Sequence, residues 1–170
     1  MKPGTGRMAV VVPHGILFRG AAEGRIRQKL VEENLLDAVI GLPEKLFYGT
    51  GIPAAVLVFR KSKADDKVLF IDASHDFESG KNQNSLREAD LQRVLDTYFA
   101  RVPIERYAYL ATPKEVAEND FNLNIPRYVN IFEEEGPIDI ALLQHEREGL
   151  KRDLDDIEEK IAAQLTEMGV

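Results

Sequence analysis

Phe47 and Tyr48 stand side by side in the stretch Leu46-Phe-Tyr-Gly-Thr-Gly-Ile-Pro53, just ahead of an apolar run that begins at Ala54. Glycines beside them let a backbone come close to a ligand. Lys45, Arg60 and Lys61 lie near in the sequence. An exposed ring can stack on a nucleic-acid base while a nearby cation holds phosphate, and these residue types suit that chemistry. The plainer alternative is that Phe47 plugs the edge of a sheet.

A second dense stretch is Asn119-Asp-Phe-Asn-Leu-Asn-Ile-Pro-Arg-Tyr128. Asn119, Asn122 and Asn124 could read adenine edges, and Arg127 could reach guanine or phosphate, with Tyr128 beside it. Equally, the asparagines could satisfy the backbone of their own loop.

Other chemistries find little support. The chain has no cysteine, which removes disulfides, thiolate zinc sites, iron–sulfur clusters and cysteine nucleophiles. His14, His75 and His145 are far apart and form no metal-binding pair, so no metal is expected. Ser62, Ser74, Ser79 and Ser85 lie in polar stretches outside any Gly-x-Ser-x-Gly. Gly4-Thr-Gly6 and Gly49-Thr-Gly51 resemble pieces of a nucleotide loop. Both lead into strands, whereas a dinucleotide fingerprint follows one, so both read as turns. The pair Asp65-Asp66 reads as a turn.

A chain of 170 residues, 44% hydrophobic and 30% charged, can bury a core without a metal or disulfide staple. No apolar run is long enough to span a bilayer and no signal-peptide core opens the chain, so a cytoplasmic protein with no membrane contact is expected. The charge is unevenly spread. Residues 1–63 hold ten Lys/Arg against five Asp/Glu, whereas residues 133–170 hold four against twelve. A basic front and an acidic tail suggest two jobs.

The elements that must position these residues follow from hydrophobic spacing. Met8–Val12 is continuously apolar and β-branched, which suits a strand covered on both faces of a parallel sheet. A helix is expected over 21–33, with Ile26, Leu30 and Val31 on one face. Strands are expected at Leu36–Leu42, Ala54–Phe59 and Lys67–Asp72. The link 43–53 has no helical pattern long enough for a crossover, so the second and third strands should be antiparallel neighbours. Residues 74–86 read as a loop. Leu86–Phe99 reads as a helix with Leu91, Val94, Leu95 and Tyr98 inward, and residues 102–132 as irregular.

Pro137 should open a long acidic helix to about Met168. Its near-heptad stripe includes Leu143, Leu150, Leu154, Ile157, Ile161 and Leu165. Such a seam must dock on its own domain or on another chain. Leu150, Leu154, Ile157, Ile161 and Leu165 are the candidate subunit-interface residues. The expected division is 1–73, 74–132 and 133–170.

Taken in order, several segments resemble the C-terminal part of the modification (M) subunit of type I restriction–modification enzymes. They are Gly6-Arg-Met-Ala-Val-Val-Val-Pro-His-Gly-Ile-Leu-Phe-Arg19, Ile26-Arg27, Ala38-Val-Ile-Gly-Leu-Pro43, Leu46–Pro53, Phe70-Ile-Asp-Ala-Ser74 and Asn119–Tyr128. The resemblance covers nearly the whole chain. It implies an adenine-N6 DNA methyltransferase parent that uses S-adenosylmethionine. It also implies an α/β fold, the C-terminal half of a Rossmann-like methyltransferase sheet. In that sheet Met8–Val12, Leu36–Leu42 and Ala54–Phe59 would be the fifth, sixth and seventh strands, the last two an antiparallel hairpin.

The resemblance makes Phe47, seven residues before Ala54, the aromatic that stacks on the target base, with Tyr48 shaping the pocket wall. Lys45, Arg60 and Lys61 become candidates for the DNA backbone. The implied partners are double-stranded DNA with a flipped adenine, a specificity (S) subunit and a restriction (R) subunit. The family's catalytic Asn-Pro-Pro-Phe and its glycine-rich cofactor loop are absent from the sequence. The chain therefore reads as a truncated gene product or expressed fragment, without catalytic or cofactor-binding residues of its own and with no bound cofactor. It should be inactive alone and prone to self-association. The competing reading is a non-catalytic assembly module that binds the S subunit through the C-terminal helix.

Overall fold

The computed structural model describes residues 1–2, 4–130 and 140–167, with the side chains of the last helix described in part. The strands are β1 (Arg7–Pro13), β2 (Leu36–Gly41), β3 (Ala54–Arg60), β4 (Val68–Asp72) and β5 (Ala108–Ala111). The helices are α1 (Ala21–Glu32), α2 (Glu88–Ala100), α3 (Pro113–Glu118) and α4 (Ile140–Glu167), with short 3-10 turns at His14–Leu17 and Ile125–Arg127.

The strands form one sheet in the order β1-β3-β2-β4-β5. β3 runs antiparallel to both β1 and β2, so those two point the same way, and β4 is parallel to β2. β2 and β3 are thus antiparallel neighbours, as the short 43–53 link requires. β5 closes the far edge antiparallel to β4. β2 and β4 lie inside the sheet, and all of their residues are buried. That is why both read as unbroken apolar runs.

Two apolar layers cover the sheet. On one face Val39, Leu57, Phe59, Val68 and Phe70 pack with Leu17, Val31, Val116, Leu123, Ile125 and Tyr128. On the other, Ala38, Ile40, Leu69 and Ile71 meet Tyr107, Ala108 and the α2 residues Val94 and Tyr98. α3 begins with Pro113 and a reciprocal capping box, in which Thr112 Oγ1 accepts from the Glu115 N–H and Glu115 accepts from the Thr112 N–H.

Four expectations are corrected. β1 is not covered on both faces: among the described residues it is an edge strand paired only with β3, with Met8, Val10 and Val11 exposed. An apolar run states that a strand wants cover and does not state which neighbour gives it. Ile26 points outward from α1, leaving Leu30 and Val31 to the core. Leu91 and Leu95 point outward from α2, and only Val94 and Tyr98 reach the sheet. Residues 102–132 are not irregular, since β5 and α3 lie there. Both elements are too short for periodicity to reveal.

Residues Met1–Phe132 form one compact unit and Glu133–Val170 a second, of which α4 is the described part. The expected helix start at Pro137 and end at Met168 lie outside the described residues.

Candidate nucleic-acid interface

The carboxyl ends of the parallel strands β1, β2 and β4 meet at one edge of the sheet, where β3 begins. In open α/β sheets ligands bind at such an edge. The loop from Leu42 to Pro53, which carries Phe47, crosses it.

Phe47 is 44% exposed. With Val11, Val12, Pro13, Thr50, Ile52, Pro53 and Ala54 it lines a cleft of about 250 Å³. Pockets for drug-sized ligands run to roughly 300–1,000 Å³. This cleft is smaller and, Thr50 apart, apolar, which suits one planar ring. Tyr48 is 90% exposed and does not line the cleft, so the structure leaves it outside the pocket wall.

The candidate cations separate. Lys45 sits two residues before Phe47, exposed, in a left-handed conformation (φ 53°), with its ammonium 3.7 Å from Glu44. Arg60 closes β3 and Lys61 follows it, at the opposite end of the strand from the cleft. Six residues of extended chain put them about 20 Å away. Nearness in sequence is misleading here because a strand intervenes.

The Asn119–Tyr128 stretch works largely as a buttress. Asn119 accepts from Arg127 Nη1 at 3.2 Å and donates to the Glu115 carbonyl at 3.0 Å. Asn122 Oδ1 accepts from the Asn124 N–H at 2.9 Å. Tyr128 is buried, its ring stacked on Phe70 at 3.8 Å, and its hydroxyl donates to the Asn122 carbonyl at 2.6 Å. Burial pushes that hydroxyl up to about 12. Ile125 fills the space left by the absent side chain of Gly41, whose Cβ would lie 2.7 Å from Ile125 Cδ1. Asn124 keeps a buried Oδ1 with no hydrogen-bond partner.

Tyr128→Ala is therefore expected to destabilise the sheet unit by about 3–5 kcal/mol, as for other buried aromatics. Tyr128→Phe should cost only about 1 kcal/mol, the net worth of one hydrogen bond. Urea unfolding of both variants checks the ordering.

Three groups at the same edge escape a sequence reading. His14 follows Pro13, and its N–H donates to the Pro53 carbonyl at 3.1 Å, tying together the two prolines of the cleft wall. Burial holds its imidazole below the ordinary value, against the pull of the Asp72 charge. Asp72, 7% exposed at the end of β4, accepts from the Ser74 N–H at 3.0 Å. Asn84, 6% exposed, donates from Nδ2 to the Glu44 carbonyl at 3.0 Å and from its backbone to the Lys45 carbonyl at 2.9 Å. No local spacing signals the His14 and Asn84 contacts, which join segments about 40 residues apart.

Among the described residues no group of acidic or histidine side chains could hold a metal. None of their helices is long and apolar enough to cross a membrane. On α4, Leu150, Leu154, Ile157 and Ile161 are exposed and step by four, three and four. The side chains of Leu143 and Leu165 lie outside the described residues.

The fold is thus a mixed α/β sheet with a small, mostly apolar cleft, lined in part by Phe47, at the carboxyl edge of its parallel strands. Comparison with known proteins narrows the class. The sequence model for N-6 DNA methylase matches residues 2–136, and the chain belongs to that family. It is 37% identical over 140 residues to the type I restriction enzyme MjaVII methylase subunit of Methanocaldococcus jannaschii, covering 79% of this chain and 24% of that protein. It is 32% identical over 157 residues to the MpnII methylase subunit of Mycoplasma pneumoniae, covering 92% of this chain and 29% of that protein. The crystal structure of a type I restriction-modification methyltransferase subunit from Streptococcus thermophilus superposes with a TM-score of 0.71 at 51% identity. That match covers 73% of this chain and 26% of that one. The chain thus spans about a quarter of the length of the curated relatives it matches.

Proposed function

We propose that this chain supplies the target-base and DNA contacts of an adenine-N6 DNA methyltransferase, as part of the M subunit of a type I restriction–modification system. The observation that carries the reading is the half-exposed Phe47 on an apolar cleft sized for one ring. An adenine inside a duplex is out of reach, so it must be extruded, and the extruded base needs a face to stack on. Phe47 gives that face. Lys45 lies close enough to hold the adjoining phosphate. Arg60 and Lys61 would hold backbone about 20 Å from the base, and exposed Tyr48 would meet DNA outside the cleft. In this reading β1, β2 and β3 are the fifth, sixth and seventh strands of the methyltransferase sheet. Residues 1–73 belong to the catalytic domain, 74–132 buttress it, and 133–170 serve assembly.

S-adenosylmethionine is the methyl donor this family implies for the complete enzyme. The Phe47 cleft does not fit it. The cleft takes one ring, its lining has no carboxylate for ribose hydroxyls, and no glycine-rich loop follows a strand. The purified 170-residue chain is therefore expected to show neither cofactor binding by calorimetric titration nor methylation of adenine-containing DNA. Methyl transfer by the chain alone would overturn this division of labour.

A second reading rests on α4, whose exposed seam suits pairing with a helix of the S subunit, the R subunit joining the same complex. The unpaired edge of β1 also invites self-association of the isolated chain. Leu154→Asp with Ile161→Asp places two charges in the seam, each costly to bury unpaired. A full-length M subunit with this pair should keep its fold and cofactor binding and fail to assemble with S. Co-purification at wild-type yield would make α4 an intramolecular strut.

A further inference from the structure

The residues 74–86 read from sequence as a polar loop. In the fold they form a clasp. Glu78 and Ser85 exchange backbone hydrogen bonds at 2.9 and 3.0 Å, closing a small loop. Gly80 lies inside it, where a Cβ would overlap the Gln83 carbonyl oxygen. Only a residue without a side chain lets the loop turn that tightly. The tightness delivers Gln83 and Asn84 to the Phe47 loop. Asn84 Nδ2 donates to the Glu44 carbonyl at 3.0 Å, the Asn84 backbone N–H to the Lys45 carbonyl at 2.9 Å, and Gln83 Nε2 to the Leu46 carbonyl at 2.5 Å. Three consecutive carbonyls, ending one residue before Phe47, are thus held from outside their own loop.

The held segment would not stay put unaided. Lys45 is left-handed at φ 53° and Gly49 at 76°, so the chain reverses on both sides of the aromatic pair. Non-glycine residues rarely adopt that conformation without surrounding contacts that fix it. Asn84 is 6% exposed, and a buried amide leaves few alternative partners for its donor. Bonds to carbonyls fix backbone position whatever side chain the loop carries.

We infer that Gln83 and Asn84 are positioning residues, which fix the backbone ahead of Phe47 so that its ring faces the cleft before a base arrives. The inference rests on the base-stacking role proposed for Phe47. Pre-organisation of this kind spares the ordering cost at binding and shows as affinity for the bound ring.

The test uses the full chain and a Gln83→Ala/Asn84→Leu variant, which removes both side-chain bonds and keeps an apolar side chain of similar size at the buried position. The first measurement is hydrogen exchange at the backbone amide of position 84, whose bond to the Lys45 carbonyl spans the clasp, with β2 and β4 as internal reference. The variant should exchange at least tenfold faster at that amide and match wild type in the strands. Unchanged exchange at position 84 would overturn the clasp, whatever Phe47 does. The second measurement is the affinity ratio between a duplex with an adenine opposite an abasic site, which is easily extruded, and a fully paired duplex. Wild type should prefer the first by about tenfold, and the double variant should lose most of that preference. In a Phe47→Ala background the double variant should change the ratio no further, because the clasp acts through Phe47. A further fall there would show a general structural role and overturn the inference. Equal affinities already in wild type would instead overturn the stacking role of Phe47, leaving the exchange result to stand by itself.

Discussion

In a complete methyltransferase carrying this sequence, Phe47→Ala is expected to lower the methylation rate by about 1–3 kcal/mol of transition-state stabilisation, roughly five- to 150-fold. The range is what one base–aromatic stack is worth. The geometry supports that contact: Phe47 is 44% exposed, too open for a core plug, and lines an apolar cleft. Phe47→Trp keeps a stacking face and should retain more activity than the alanine variant. A steady-state rate on DNA with one target site checks both. Wild-type rates in both variants would return Phe47 to edge packing.

Arg101→Ala is expected to destabilise the sheet unit by about 3–5 kcal/mol, the cost of breaking a buried ion pair from one side. Asp37 is 1% exposed. It sits at an irregularity in β2, where the register with β3 shifts between Leu36 and Ala38. The extra residue of a bulge is released from the ladder, and its side chain can be aimed elsewhere. Arg101 Nη1 reaches Asp37 Oδ1 at 3.0 Å, and the Tyr98 hydroxyl donates to Oδ2 at 2.6 Å. Arg101 Nη2 extends the network to Asp65 at 3.2 Å and to the Lys67 carbonyl at 3.2 Å. Alanine would leave the Asp37 carboxylate with one hydrogen-bond donor, the Tyr98 hydroxyl, and the Lys63 charge nearby. Arg101→Lys should be intermediate, because an ammonium cannot reproduce the fork. Urea unfolding midpoints measure both, and a loss below about 1 kcal/mol for alanine would mean that solvent already screens the pair.

The two variants bear on opposite ends of the sheet, and that contrast shows what a sequence can carry. β2 and β4 were legible because strands buried on both faces must be apolar throughout. β1 has the same composition and lies at an edge, since burial demand does not name the neighbour. β5 and α3, four and six residues long, offer too few repeats for a period to show. Asp37 reads as a polar break in an apolar run, and its partner lies 64 residues away.

The site divides in the same way. The exposed position of Phe47 ahead of β3 follows the sequence, where two glycines come after it and an apolar strand begins at Ala54. The grouping of Arg60 and Lys61 with it failed because β3 carries them to its other end. The asparagines of Asn119–Tyr128 are occupied chiefly with their own loop, Glu115 and Arg127, the local alternative that their spacing always permitted. Asn84 was invisible because its hydrogen bonds go to backbone carbonyls, which any sequence could offer.

The most direct test of the base-stacking claim is to ask which residue touches the base. A complete methyltransferase assembly carrying this sequence would be bound to DNA with 5-iodouracil in place of the target adenine, irradiated and digested. Mass spectrometry would then locate the crosslink. A ring stacked on the extruded base is the residue that captures it, so the account predicts a crosslink on Phe47 that disappears in Phe47→Ala. A crosslink elsewhere in the chain, at unchanged yield in Phe47→Ala, would contradict it.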